Sequence, residues 1–426
     1  MLRKSITTLS LFVCILMTGC GGELTTATEP DFVPISTDAS LPADAELYQS
    51  LSKLEPDSAD RIALAVAIQG IDSASLPTPP TNPAAEYKVG DTREFWTHDS
   101  SALMFTRITA KLMFISTHAY FWQDEASQPL NAAGVVATDE DWAAAGESFD
   151  TSYERVRAVF GFEESPGLDG DARLYVIHSD SLGSVGGYFG QADQLPAEVE
   201  AHSNQGQYFF ISNTGSSGIA SDYYKEVLAH EFQHMIHKHI DADEDGWMNE
   251  GLSMVAQQVA GMRGYNYVAD YLAKPDQSLW FWSSQSQDYG QSYLYLDYLY
   301  EQVGEDFIKA LVADPANGFA SIDKTLTQFD SPRTTDELYT DSITAAFFND
   351  PALADGQFAY DQAVVPTVTP RYEFTTLPAE YQGRVQQYGG VDIMSFNGNG
   401  KATFTFTGDQ RVKLIPAEAH SGEHFW

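Results

Sequence analysis

The chain has 426 residues, of which 43% are apolar and 13% aromatic, enough for two or three domains with a substantial core and too apolar for a disordered protein. Against 23 basic residues stand 60 acidic ones, a formal charge of -37, which argues against binding nucleic acid through phosphate contacts. The only cysteines are Cys14 and Cys20, so neither a disulfide framework nor a cysteine nucleophile is expected in the mature protein.

The N-terminus reads as a targeting segment. Arg3 and Lys4 precede the apolar run Leu9 to Met17, which is too short for a comfortable membrane span. Met17-Thr18-Gly19-Cys20 resembles a bacterial lipoprotein box, which implies cleavage of residues 1–19 and lipidation of Cys20. An ordinary secretory signal also predicts export. The expectation is an exported bacterial lipoprotein on the outer membrane or cell surface, anchored to the membrane by its N-terminal lipid. No other segment reaches 18 apolar residues.

Residues 20–43 read as a Thr-, Pro- and acid-rich tether. Residues 44–71 read as helical, split at Pro56; a pro-segment and an accessory hairpin both satisfy the pattern. Residues 72–86 form a Pro-rich linker. Strands are expected over Arg93 to Thr97, Phe105 to Ser116 and His118 to Gln123, from β-branched and aromatic residues separated by turn signals. Glu140 to Phe160 predicts a long helix, with Trp142, Phe149, Tyr153, Val156 and Phe160 at helical spacings. Arg173 to His178 and Gln207 to Ser212 predict buried strands. Between them, Gly183 to Gly190 satisfies both a glycine turn and a sheet edge open to an extended peptide.

A helix is next predicted from Asp222, capped by Ser221 or Asp222, with no Pro or Gly before Ile240. It carries His230-Glu231-Phe232-Gln233-His234. Helical residues four apart lie about 40° apart in projection and one turn apart in height, so His230 and His234 can converge on one metal ion. Glu231 then stands beside the open position, where a metallopeptidase keeps its general base. Two histidines leave a catalytic zinc one protein ligand short. Glu250 follows an acidic loop, at the predicted start of a helix running to about Val259, and can reach back to the metal.

His-Glu-Phe-Gln-His-Met-Ile followed by Trp-Met-Asn-Glu-Gly-Leu-Ser (residues 247–253) resembles bacterial zinc metallopeptidases of the hyicolysin and immune inhibitor A type. Tyr289 to Leu294 and Gly183 to Tyr188 also look like that group, and the resemblance covers about residues 87–340. It implies an α+β, zincin-type catalytic domain (mixed sheet plus active-site helix, helical lower half) over residues 87–375. It also implies zinc held by His230, His234 and Glu250, with Glu231 as base. Tyr289 and Tyr293, one helical turn apart in the resembling segment, are candidates to stabilise the oxyanion, and Ser253 is a candidate to support the ligands. His237 and His239 are expected to support the site or face solvent. The implied activity is zinc-dependent endopeptidase action on a protein or peptide substrate, by a monomer. The alternative is a catalytically silent lipoprotein of the same fold, acting as a binding or adhesion module.

Asp241, Asp243 and Asp245 follow the D-x-D-x-D-G pattern of a calcium loop, but the twelfth position is Leu252, which excludes an ordinary EF-hand. A nonstandard calcium site and a solvated acidic turn both remain open, and Asp169-Gly170-Asp171 is a weaker case of the same kind. Mostly helical structure is expected to about Phe348. Residues 376–426 alternate like the start of a β-sandwich, with a hairpin turn at Asn397 to Gly400, and read as an incomplete module.

Overall fold

The computed structural model describes residues 86–262, 266–275 and 277–368, the short stretches 372–376, 380–381, 388–389 and 394–396, and residues 72 and 76. The expected signal segment, Cys20, the tether, the helical segment of residues 44–71 and the Asn397 to Gly400 turn lie outside these residues.

One six-stranded mixed sheet forms the upper layer. Strands β1 (Thr92–Asp99), β2 (Met104–Ile115) and β3 (Ala119–Asp124) make an antiparallel meander. Parallel strands β4 (Leu174–Ser179) and β6 (Tyr208–Ser212) follow, and the short β5 (Gly187–Phe189) closes the edge antiparallel to β6. The central strands β3, β4 and β6 are buried along their whole length. The cause is visible in their alternation. Phe121, Val176, Phe209 and Ile211 face the helical core, while Tyr120, Trp122, Tyr175, Ile177, Tyr208 and Phe210 face a second cluster on the other side, with Phe95 and Leu182. A strand covered on both faces has no polar alternation to show.

Helix α1 (Asp139–Phe160) connects β3 to β4. Thr138 caps it by accepting a hydrogen bond from Asp141 N, and the Asp141 side chain completes a capping box. The five spaced residues Trp142, Phe149, Tyr153, Val156 and Phe160 are all buried. Against α1 lies α2 (Asp222–Ile240), with Ser221 Oγ accepting from Tyr224 N at 3.0 Å as its N-cap. Phe232 of α2 stacks on Tyr153 at 4.8 Å between ring centroids and meets Phe149 edge-on. His178 pins the start of α2 to the sheet: Nδ1 donates to Trp122 O at 2.8 Å, and Tyr224 Oη donates to Nε2 at 2.9 Å. Burial lowers its pKa to about 4, so this imidazole is neutral and suited to that pair of bonds.

The remaining described α-helices are α3 (Gly246–Val259), α4 (Asn266–Ala273), α5 (Ser286–Val303), α6 (Glu305–Val312), α7 (Phe319–Gln328) and α8 (Thr335–Phe348). They form the lower layer, in which α5 packs against both α3 and α4. Helix α3 begins at Gly246, four residues before the expected start at Glu250. Trp247, 2% exposed and stacked on Phe319 at 5.0 Å, anchors that extra turn. Towards the C-terminus, β7 (Tyr372–Phe374) pairs in parallel with β8 (Met394–Phe396). Within residues 376–426, expected to be β-rich, one strand is therefore described, with a parallel partner that the sequence pattern did not mark. Mixed sheet and helices together make an α+β fold.

Candidate metal centre

Helix α2 presents His230 and His234 on one face, and the first turns of α3 bring Glu250 opposite them. His230 Nε2 lies 3.0 Å from His234 Nε2 and 3.2 Å from Glu250 Oε2, and His234 Nε2 lies 3.5 Å from the same oxygen. Zinc bonds of about 2.0–2.1 Å at tetrahedral angles separate ligand atoms by about 3.3 Å. The three donor atoms thus form a triangle of the right size and type for a zinc ion. They are also one of the two groups of potential ligands found together among the described residues.

Support for His234 comes from α3. Ser253, fully buried, places Oγ 3.0 Å from His234 Nδ1, 2.5 Å from Gln233 Oε1 and 3.2 Å from Asn249 O. A proton held on Nδ1 by Ser253 leaves Nε2 free as a ligand, the arrangement expected around a metal-binding histidine. The expected supporting role of Ser253 thus has a geometric basis. His237 is buried next to Gln233, whereas His239 is not among the clustered ligands.

Glu231 is 7% exposed. Burial raises its pKa and the nearby Glu250 adds to that, while His230, His234 and the Phe189 main-chain N–H favour its charged form. Burial works against a charged Glu250 too, but the two imidazoles hold its carboxyl well below the usual range. Burial likewise disfavours a charged His234, yet Glu250 and Glu231 bring it up to about 9. A negative carboxylate thus stands against two imidazoles, a donor set that could hold a cation.

The contact between Glu231 and Phe189 shows how near the sheet edge comes. A Cβ on Gly187 would meet Val227 Cγ1 of α2 at 2.7 Å and Phe210 O at 2.8 Å, so only glycine lets β5 pass this close. Gly183 to Gly190 thus contains both expected features: a turn at Gly183 (φ +78°) and an edge strand from Gly187. Gly190 N bonds to Tyr208 O and Ser212 N to Gly186 O. By antiparallel alternation, the N–H and C=O of Gly187 and Phe189 face away from the sheet.

The two candidate tyrosines separate. Tyr289 is half-buried, and both Glu250 and Glu231 add to the upward pKa shift that burial gives its hydroxyl, so it lies within electrostatic reach of the site. Tyr293 is placed differently. Its side chain is 2% exposed and its hydroxyl donates to Gln258 Oε1 in the core between α3 and α5, which corrects the expectation for that residue. Two aromatics at the site were missed. Tyr223 feels both Glu231 and Tyr267, and Tyr267 packs against Tyr289 at 5.5 Å. Tyr223 stands seven residues before His230, two helical turns on the same face, and that spacing could have found it. Tyr267 carries no such signal.

In the acidic loop, Asp241 offers a ligand atom together with His237 and Glu244, and it also hydrogen-bonds Asp243. Asp243 is exposed. The Asp169 and Asp171 carboxylates are occupied otherwise: they accept from Tyr175 Oη at 2.7 Å and Tyr120 Oη at 2.9 Å.

No protein-family model matches the chain, and no curated protein matches it. Among solved structures it is similar to a mutant two-domain M1 zinc metallopeptidase bound to L-arginine, with 14% identity over 59% of this chain and 47% of that one, at a TM-score of 0.30. An M1 zinc metallopeptidase from Deinococcus radiodurans matches with 15% identity over 59% of this chain and 56% of that one, also at 0.30. A mutant from the same organism bound to a Tyr-Ser-Ala substrate matches with 13% identity over 56% and 58%, at 0.31. This chain spans about half the length of those proteins. Likeness at that level carries no functional argument; the geometry of the site does.

Proposed function

We propose that this chain is an exported zinc-dependent endopeptidase of the hyicolysin and immune inhibitor A kind, held to a membrane by a lipid on Cys20. The observation that carries the reading is the triangle of His230, His234 and Glu250 with the buried Glu231 beside it. A site that only binds zinc for structure has no need of a fourth, non-ligating carboxylate at that place.

Zinc held there would polarise the carbonyl of a peptide bond and make a water acidic enough to lose a proton near neutral pH. The chain's own groups supply the rest. Burial strengthens the affinity of Glu231 for a proton, which suits a group that takes one from water and returns it to the departing amine. Tyr289, on which both Glu250 and Glu231 act, is the hydroxyl we assign to donate towards negative charge developing on the carbonyl oxygen. The outward main-chain groups of Gly187 and Phe189 can pair with an extended peptide, adding it to the sheet as a further strand over α2. In that pose the Phe189 N–H exchanges Glu231 for substrate, releasing the carboxylate for proton transfer.

The test is cleavage of casein and of quenched-fluorescence peptides by the zinc-loaded protein. Activity should vanish with a chelator and return with zinc. A fully loaded protein that cleaves neither substrate would refute the proposal.

A further inference from the structure

One turn beyond the first site, a second set of donors converges. His237, Asp241 and Glu244 each offer a ligand atom within 4.8 Å of the others. His237 is fully buried and Asp241 is 6% exposed. His237 Nε2, Asp241 Oδ2 and Glu244 Oε2 are all buried without a hydrogen-bond partner. A buried polar atom left unpaired costs about 1–3 kcal/mol, and more if charged, so three such atoms in one place need a common explanation.

The surroundings hold the donors in position and do not neutralise them. Glu244 Oε1 accepts from Asp245 N at 2.5 Å and Gly318 N at 2.7 Å, which fixes the carboxylate while its other oxygen stays unpaired. Asp241 closes α2, with its N–H on His237 O at 2.7 Å. Asp243 hydrogen-bonds Asp241 through its side chain and its main chain, and Asp243 and Asp314 both add negative charge around it. Lys324, which could offset it, is paired with Asp314 at 2.7 Å.

We propose that His237, Asp241 and Glu244 bind a second divalent cation, of the zinc class, that ties the end of α2 to the start of α3. An imidazole with two carboxylates is a donor set for zinc-like ions, whereas calcium takes oxygen alone.

The hydrogen bonds between the two sites fit this assignment. Gln233 Nε2 lies 3.5 Å from His237 Nδ1, and Gln233 Oε1 lies 2.5 Å from Ser253 Oγ. A half-turn of the amide exchanges its nitrogen and oxygen at nearly the same positions. His237 Nδ1–H then donates to Gln233 Oε1. Gln233 Nε2–H and His234 Nδ1–H donate to Ser253 Oγ, and the Ser253 hydroxyl donates to Asn249 O. Each of these protons has an acceptor, and both imidazoles offer an Nε2 lone pair: His234 to the first site, His237 to the second.

Zinc stoichiometry of the full-length protein tests the proposal, measured by plasma mass spectrometry after dialysis against excess magnesium to clear weak surface sites. The parent should hold two equivalents. Asp241→Asn with Glu244→Gln should hold one; it keeps side-chain shape and relieves buried charge, so the fold is preserved. His230→Ala with His234→Ala should also hold one, and zinc should still raise its melting temperature. A parent with one equivalent that is lost only in the His230/His234 variant overturns the second site and leaves the first standing. One equivalent lost only in the Asp241/Glu244 variant does the reverse. Two equivalents retained in the Asp241/Glu244 variant also overturn this inference.

Discussion

Ser253→Ala removes one oxygen that touches both halves of the metal-bearing architecture. Its Oγ is 3.0 Å from His234 Nδ1 and 2.5 Å from Gln233 Oε1, at a position with no solvent access. Two buried groups on α2 lose a partner, and the loss of a buried partner costs about 1–3 kcal/mol. Both groups share the one hydroxyl, and Asn249 also lies within reach of His234, so the total should stay near that range. The second effect falls on the metal. Loss of the group that orients a ligating histidine weakens metal binding about 10–100-fold, or about 1.4–2.7 kcal/mol. Competition against a chromophoric chelator reads the affinity, and urea unfolding of the metal-free protein reads the stability. Ser292→Ala is the control: its hydroxyl is also fully buried but has no partner, so removing it should leave metal affinity unchanged and stability equal or higher. A Ser253→Ala affinity within twofold of the parent would refute the reasoning.

Phe232→Ala should cost about 3–5 kcal/mol in urea unfolding, as expected for a buried aromatic, because its ring sits among Tyr153, Phe149 and Phe209; a loss under about 1 kcal/mol would contradict that packing. Gly290→Ala should destabilise by about 1–3 kcal/mol through overpacking, since a Cβ there collides with the Tyr267 carbonyl, and it should lower peptidase activity by displacing Tyr267 and Tyr289. Asp193 gives a pH test. Burial pushes its carboxyl up to about 7, so the folded state keeps this proton where the unfolded chain has lost it. The resulting stability is present below about pH 4 and is lost as pH rises through 7, by at most roughly 4 kcal/mol. Asp193→Asn should therefore stabilise the protein at pH 8 and not at pH 4, as read by urea midpoints; an equal change at both would contradict the assignment.

Much of the site was legible because its signals are local. The absence of Pro and Gly from Ser221 to Ile240 and a serine cap set α2 to within a residue, and the spacing of four between the histidines fixed their common face. The buried strands read correctly as apolar runs. The start of α3 did not, because Gly246 disfavours helix and the contact that overrides it, Trp247 on Phe319, joins residues 72 positions apart. Tyr289 and Tyr293 look equivalent in sequence; only their neighbours, Glu250 for one and Gln258 for the other, tell them apart. The acidic loop offered no such guide: Asp241, Asp243 and Asp245 alternate by twos, whereas the carboxylates that come together with His237 are those of Asp241 and Glu244, the latter in the loop between two helices. Strand β5 has three residues, too few for a periodic signal.

Glu231→Gln tests the central claim most directly, with zinc content and peptide cleavage measured on the same preparation as the parent. The account predicts parental zinc content and turnover reduced by about 10²–10⁴-fold, the range for loss of a general base. Full turnover by a zinc-loaded Glu231→Gln protein would contradict it.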